Sequence, residues 1–148
     1  MPEELLLSEQ HPQSRRWAVL EDDGLSAWLY LTEPDSERPA ADCWIYNRVE
    51  SPGPPGDYLS RGVAPPAPAE VAGAEALLHP ADASALGLVW SLDGESVALF
   101  VGGVLMGFIA SGQRRGYSRN LLKSGPWGHP LDESLYRSLF DVSHPGRV

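Results

Sequence analysis

The chain has 148 residues, 20 acidic against 11 basic side chains, and a formal net charge of −9. Its length predicts a single domain. Its sequence pI of about 4.8 argues against nucleic acid as a partner, because most of the surface repels phosphates. A protein partner with a basic surface suits this charge better.

The chain divides by pattern into a flexible N-terminal tail over residues 1–16, a globular domain over 17–141 and a C-terminal tail over 142–148. Residues 1–4 lack the positive charges of an export signal, and the three leucines that follow are too few for its apolar core. The longest apolar run, residues 97–110, is shorter than the ~20 residues of a membrane span. We therefore expect a cytoplasmic protein without membrane association.

The first structured element predicted is a hairpin. Two strand-like runs, residues 17–20 and 25–31, flank Glu21-Asp22-Asp23-Gly24, and an Asp-Gly pair between apolar strands is a strong hairpin signal. A third strand is predicted over residues 42–49.

Residues 50–69 form a proline-rich loop whose mixed Pro/Gly/Ala composition favours a mobile segment over a functional one. A short helix is expected over residues 70–78, ending before Pro80.

A meander follows, with strands at residues 88–91, 96–101 and 104–110 joined by turns at Asp93-Gly94 and Gly102-Gly103. The outer two strands of this meander are apolar at almost every position, which predicts burial on both faces and favours a homo-oligomer.

The last element is predicted to be a helix over residues 131–141, with Pro130 near its first position. Its apolar residues recur at three-to-four spacing and form one stripe that suits packing on a sheet. Together these elements predict an α+β domain: one antiparallel sheet of five or six strands built from meander hairpins, with the C-terminal helix packed on it.

A basic island stands out against the acidic background. Between Glu95 and Asp132 there is no acidic residue. The window contains four basic side chains and one aromatic of interest, which together are the candidate contact residues: Arg114, Arg115, Tyr117, Arg119 and Lys123. Arginine forks bind carboxylate or phosphate, so loop 112–123 is a candidate site for an acidic partner or a small anion. The alternative is that these arginines neutralise neighbouring acidic loops of the same chain.

The remaining polar residues predict no catalytic or metal centre. Asp22 and Asp23 are explained by turn formation, and the single cysteine, Cys43, is expected to be a buried structural thiol. The four histidines lack metal-ligand spacing, and we expect them in exposed loops. The five tryptophans are expected in the core or at an interface. We predict no catalytic residue, no metal and no cofactor.

Several short motifs in this order resemble a family of small bacterial proteins known only as a domain of unknown function, over about residues 17–122. They are Glu21-Asp22-Asp23-Gly24, Ile45-Tyr46-Asn47, Trp90-Ser91-x-Asp93-Gly94, Leu99-Phe100 with Gly103, and Gly116-Tyr117-Ser118-Arg119. The resemblance implies a bacterial cytoplasmic protein and transfers no site residue.

The function predicted from the sequence is therefore a non-enzymatic interaction module of the inhibitor, immunity-type or regulatory kind. The alternative is a domain that binds a small anion or other small ligand through loop 112–123.

Overall fold

The computed structural model describes residues 4–49, 54–80 and 83–140, which form two β-sheets flanked by helices. The N-terminal sheet contains four antiparallel strands in chain order: β1 (Leu5–Gln10), β2 (Trp17–Asp22), β3 (Ser26–Thr32) and β4 (Pro39–Asn47). The C-terminal sheet contains, also in chain order, β5 (Leu86–Trp90), β6 (Val97–Val101), β7 (Val104–Ile109), β8 (Tyr117–Ser118) and β9 (His129–Pro130). Its last pair, β8 with β9, is parallel.

Two α-helices and one 3-10 turn complete the described chain. Helix α1 (Pro55–Leu59) follows β4, a 3-10 turn (Ala83–Ala85) precedes β5, and helix α2 (Glu133–Phe140) closes the chain. Across the described ranges, no helix is long and apolar enough to cross a membrane.

The predicted hairpins are confirmed, and their turn residues explain them. Between β2 and β3, Asp23 Oδ1 accepts the backbone N–H groups of Leu25 and Ser26 at 2.9 and 3.2 Å. Between β6 and β7, Gly102 and Gly103 have φ angles of 57° and 82°. A two-residue hairpin turn with positive φ at both positions matches the twist of the flanking strands and favours glycine.

The sheets pack face to face, and α2 covers the outer face of the C-terminal sheet. Alternate residues of β2 to β4, such as Leu20, Leu29 and Ile45, meet Val97 and Leu99 of β6 in the main core. On the other side of β6 and β7, a second core is formed with α2, as predicted for the helix: Ala98, Leu105, Phe108, Tyr136 and Phe140. Both faces of the meander are thus covered within one chain, so its apolar character has an internal explanation that needs no second copy.

Several details of the sequence-based prediction are wrong. There are two sheets rather than one, with nine strands in the described residues instead of five or six. Regular structure begins at Leu5, not Trp17, because Leu5 and Leu7 alternate toward the core while β1 pairs along all of β2. Helix α2 begins at Glu133, since Asp132 Oδ1 caps the N–H of Leu135 at 3.0 Å. The predicted last residue of that helix, Asp141, and the tail over 142–148 lie outside the described residues.

The predicted helix over residues 70–78 is also wrong. Ala72 forms an isolated bridge with Leu121, and Leu77 forms one with Asn47. The N–H groups of Val71 and Ala72 both bind the carbonyl of Pro68 in a turn. The backbone groups that a helix would use are therefore satisfied by neighbouring segments, a tertiary effect that local propensity does not contain.

Candidate interaction surfaces

The first half of the basic island is attached to β4. The backbone N–H of Asp42 donates to the carbonyl of Arg114, and the N–H of Gly116 donates to the carbonyl of Asp42. The Arg115 guanidinium lies 3.0 Å from Asp42 Oδ1. A Cβ on Gly116 would lie 2.6 Å from the Cβ of Cys43, so only glycine allows this approach. Arg115 therefore neutralises an acidic residue of its own chain.

The second half of the island is held by the C-terminal sheet and α2. Arg119 Nε donates to the carbonyl of Leu105 at 2.6 Å, and its Nη2 lies 3.9 Å from Glu133 Oε2. The Tyr117 ring stacks on Phe108 with centroids 4.9 Å apart. These two predicted contact residues are thus engaged in intramolecular packing.

Arg114 and Lys123 differ from the other predicted contact residues. Both are exposed, and neither forms an ion pair with any residue in the described ranges. The five predicted contact residues therefore do not converge on one point: two arginines are tied to carboxylates, the tyrosine packs on the sheet, and two cations project into solvent.

An open cavity of about 790 Å³ lies between β8, β9 and the start of α2. Arg119 and Arg137 flank Glu133 there, at 3.9 and 3.5 Å from its carboxylate oxygens. Ser124 Oγ lies 2.7 Å from His129 Nδ1. Cationic and anionic groups alternate along this wall, so its field is nearly balanced.

The outer face of the N-terminal sheet is organised in three rows of cross-strand neighbours. The strand register gives the rows Leu6–Glu21–Trp28–Trp44, Ser8–Val19–Tyr30–Asp42 and Gln10–Trp17 beside Thr32. In an antiparallel sheet these neighbours stand side by side on one face. The face is therefore rich in aromatic and aliphatic side chains.

Half of this face is covered by residues 63–76. The indole Nε1 of Trp28 donates to the carbonyl of Pro65 at 3.3 Å, and Trp44 is fully buried beside Ala67. Asn47 Nδ2 donates to the carbonyl of Ala67 at 2.8 Å, and Asn47 Oδ1 accepts the N–H of Ala67 at 3.0 Å. The later part of the proline-rich segment thus packs on the sheet, where its composition favoured a mobile loop.

The other half of the face forms two adjoining grooves, which we call together the β1–β3 groove. One, of about 420 Å³, is lined by Leu6, Ser8, Trp17, Val19, Thr32 and Glu37. The other, of about 350 Å³, is lined by Val19, Glu21, Tyr30, Thr32, Glu37 and Pro39. The floor is largely apolar, and both charged lining residues are acidic.

The groove has a negative field. Burial, and then the charges of Glu21, Asp42 and Asp23, raise the pKa of Tyr30 from 10.0 to about 12. Nearby anions disfavour the tyrosinate, so this direction is the one expected where carboxylates surround a half-buried phenol.

A buried ionic cluster lies at the end of the N-terminal sheet. Asp22 Oδ2 accepts from Tyr46 Oη at 2.6 Å and from Arg48 Nε at 2.9 Å, and Asp22 Oδ1 accepts the N–H of Gly24 at 3.0 Å. Burial, and then this hydrogen bond, raise the pKa of Tyr46. Turn formation alone does not explain Asp22. The sequence does contain a sign of this role: Asp22 lies two residues after Leu20 on β2, so both side chains point into the core. A carboxylate buried there requires a hydrogen-bonding or charged partner.

The other sequence predictions divide between confirmation and correction. Cys43 is buried as expected, and burial raises the pKa of its thiol. The expectation that His11 is exposed is wrong: its Nδ1 accepts the N–H groups of Gln13 and Ser14, and its ring meets Trp90 edge-on at 5.3 Å. His144 lies outside the described residues. No cluster of three metal-ligating side chains occurs where the chain is described.

No family model, curated protein or solved structure matches this chain. The resemblance to a bacterial domain of unknown function therefore stays a prediction. Two of its motifs do meet in space, since Asp22 of the first bonds Tyr46 of the second across 24 positions.

Proposed function

We propose that this chain is a non-enzymatic protein-interaction module, of the inhibitor, immunity-type or regulatory kind, acting in the bacterial cytoplasm on a partner with a basic surface. The β1–β3 groove is the proposed contact surface. The observation that carries the proposal is the combination of an apolar floor with an exclusively acidic charged lining.

The distribution of charge supports a basic partner. Residues 96–131 hold four basic and no acidic side chains, so the remaining chain holds 7 basic and 20 acidic ones, a balance of −13. Two of the three island arginines are already paired with carboxylates, Arg115 with Asp42 and Arg119 with Glu133. A surface of one sign attracts a partner of the other sign and speeds their encounter.

The test is capture from a lysate of the source organism with three forms of the chain. The first is wild type, the second is Val19→Lys, which places a cation on the groove floor, and the third is Val104→Lys, the same change at an exposed position at the start of β7. We expect a specific protein bound by wild type and Val104→Lys at about 0.1 M salt, lost from Val19→Lys, and released at about 1 M salt, where the Debye length falls from ~10 to ~3 Å.

The proposal is contradicted if a protein binds all three forms equally, or if the captured protein stays bound at about 1 M salt. It is also contradicted if no protein is specifically captured. Unchanged circular dichroism and melting temperature of Val19→Lys establish that loss of capture is not loss of fold.

A second candidate function is binding of a small anion at the cavity beside α2. Arg119, Arg137 and His129 line one cavity next to loop 112–123 together with Asp132 and Glu133, so an anion bound there competes with Glu133 for the two arginines. The measurement is the melting temperature against phosphate, nucleotides and small carboxylates, because a ligand that binds only the folded state raises it with occupancy. A rise that Arg119→Gln and Arg137→Gln remove supports this function, and no rise with any of these anions contradicts it.

A further inference from the structure

The narrower end of the β1–β3 groove combines one aromatic ring with two carboxylates. Tyr30 lies on β3 directly beside Val19 of β2, and Glu21 is two residues along β2 on the same face. Glu37 of the β3–β4 connection and Pro39 at the start of β4 complete the lining, together with Thr32. Its volume of about 350 Å³ lies at the small end of the range for ligand pockets, which suits one long side chain.

The two carboxylates are not compensated within the described chain. Other acidic residues around the N-terminal sheet have partners: Asp35 pairs with Arg15, Asp42 with Arg115 and Glu95 with Arg16. Across residues 4–49, 54–80 and 83–140, neither Glu21 nor Glu37 forms an ion pair or a side-chain hydrogen bond. Folding has paired those three carboxylates and has left Glu21 and Glu37, like exposed Glu33 of the β3–β4 connection, without an ion pair in the described residues.

We propose that this pocket binds an arginine side chain of the protein partner, with the guanidinium against the Tyr30 ring and its N–H groups directed to Glu21 and Glu37. This inference rests on the proposed function and specifies the residue that the groove recognises. The adjoining part of the groove, between Leu6 and Trp17, accommodates an apolar side chain next to that arginine.

Arginine fits this pocket better than lysine for geometric reasons. A guanidinium is planar, stacks on an aromatic face and presents five donors, so it contacts a ring and two carboxylates at once. An ammonium is a compact, strongly hydrated point charge whose desolvation over an apolar floor is more costly. The Trp28 ring, two residues along β3 on the same face, lies 6.5 Å from the Tyr30 ring with planes 16° from parallel, which restricts the movement of Tyr30.

The experiment is a titration of the full ¹⁵N-labelled chain, followed by NMR, with three blocked amino acids as probes. Nα-acetyl-arginine methylamide is the test ligand. Nα-acetyl-lysine methylamide, with its ε-ammonium free, tests whether an ammonium can replace the guanidinium, and Nα-acetyl-citrulline methylamide is the neutral near-isostere of arginine. The variants are Glu21→Gln with Glu37→Gln and, as a control of equal charge, Glu70→Gln with Glu75→Gln, two exposed positions outside the groove.

We expect saturable shifts of the β2 and β3 amides around Val19 and Tyr30 with the arginine probe, weaker ones with lysine and none with citrulline. The groove variant should bind at least about tenfold more weakly, since a charge-assisted hydrogen bond is worth roughly one decade. The control variant should bind as wild type does. Equal affinity in the two variants, equal response to citrulline, or shifts centred elsewhere would each overturn the inference.

The two proposals fail in different ways. If a captured partner binds the Glu21→Gln, Glu37→Gln variant as tightly as wild type, the arginine pocket is refuted and the proposed interaction module is not. If the arginine probe binds in the groove but no partner is captured, the arginine pocket is supported and the proposed function is refuted.

Discussion

The buried cluster of Asp22, Tyr46 and Arg48 allows a sharp prediction about stability. Asp22→Asn keeps the shape of the side chain but removes its charge, and it presents an amide group where Tyr46 Oη and Arg48 Nε now donate at 2.6 and 2.9 Å. The side chains of Asp22 and Arg48 are 0% and 6% exposed. Removing one partner of a buried ion pair costs about 3–5 kcal/mol, a large part of the roughly 5–15 kcal/mol that stabilises a typical domain.

The neighbouring residue provides a matched control. Asp23 is half-buried, and its Oδ1 accepts two backbone N–H groups of the turn, an arrangement that asparagine reproduces. We therefore expect Asp23→Asn to change the free energy of unfolding by less than about 1 kcal/mol.

Urea unfolding followed by circular dichroism measures both variants, and the milder Tyr46→Phe extends the test if Asp22→Asn does not fold. Loss of that one hydroxyl should cost about 1–2 kcal/mol. An Asp22→Asn variant within about 1 kcal/mol of wild type, or no less stable than Asp23→Asn, would refute the structural role assigned to this cluster.

Two further predictions concern pH and close packing. Burial raises the pKa of Cys43 and Tyr46, and raises that of Tyr30 to about 12, so above about pH 9 the unfolded chain loses protons that the folded chain keeps. These three groups should therefore leave stability unchanged between pH 7 and about pH 9 and reduce it above that pH by up to about 1.4 kcal/mol per pH unit for each group; a flat profile from pH 7 to pH 11 in urea unfolding contradicts this. Gly116→Ala places a Cβ 2.6 Å from Cys43 and should cost about 1–3 kcal/mol, whereas Gly87→Ala, with nothing within 4 Å, should cost nothing. Equal unfolding midpoints for these two alanine variants would show that β8 does not need its close approach to β4.

The elements that the sequence predicts well are those specified by neighbouring residues. Asp23-Gly24 and Gly102-Gly103 determine their turns through backbone geometry, and the apolar stripe of α2 follows from helical spacing. Strand β1 and the segment over residues 70–78 were predicted wrongly because distant pairing decides both. β1 is stabilised by β2, and Ala72 and Leu77 bridge to Leu121 and Asn47.

The candidate site was less predictable than the fold. Alternation along β2 and β3 already places Val19 and Tyr30 on one face. Their accessibility depends on residues 63–76, which cover Trp28 and Trp44 and leave Val19 and Tyr30 half-buried, an arrangement that no local pattern contains. The basic island is conspicuous in the sequence, yet two of its three arginines pair with carboxylates of the same chain, one of them Asp42, 73 positions away in sequence. We therefore base the proposed contact surface on charges left unpaired after folding rather than on charge in a sequence window.

Hydrogen–deuterium exchange of the complex with the captured partner tests most directly whether the β1–β3 groove is the binding surface. We predict that binding slows exchange in β1, β2 and β3, around Leu6, Val19 and Tyr30, and leaves exchange in loop 112–123 and α2 unchanged. Protection confined to that loop and to α2, with the groove strands exchanging as in the free chain, would contradict the proposed contact surface.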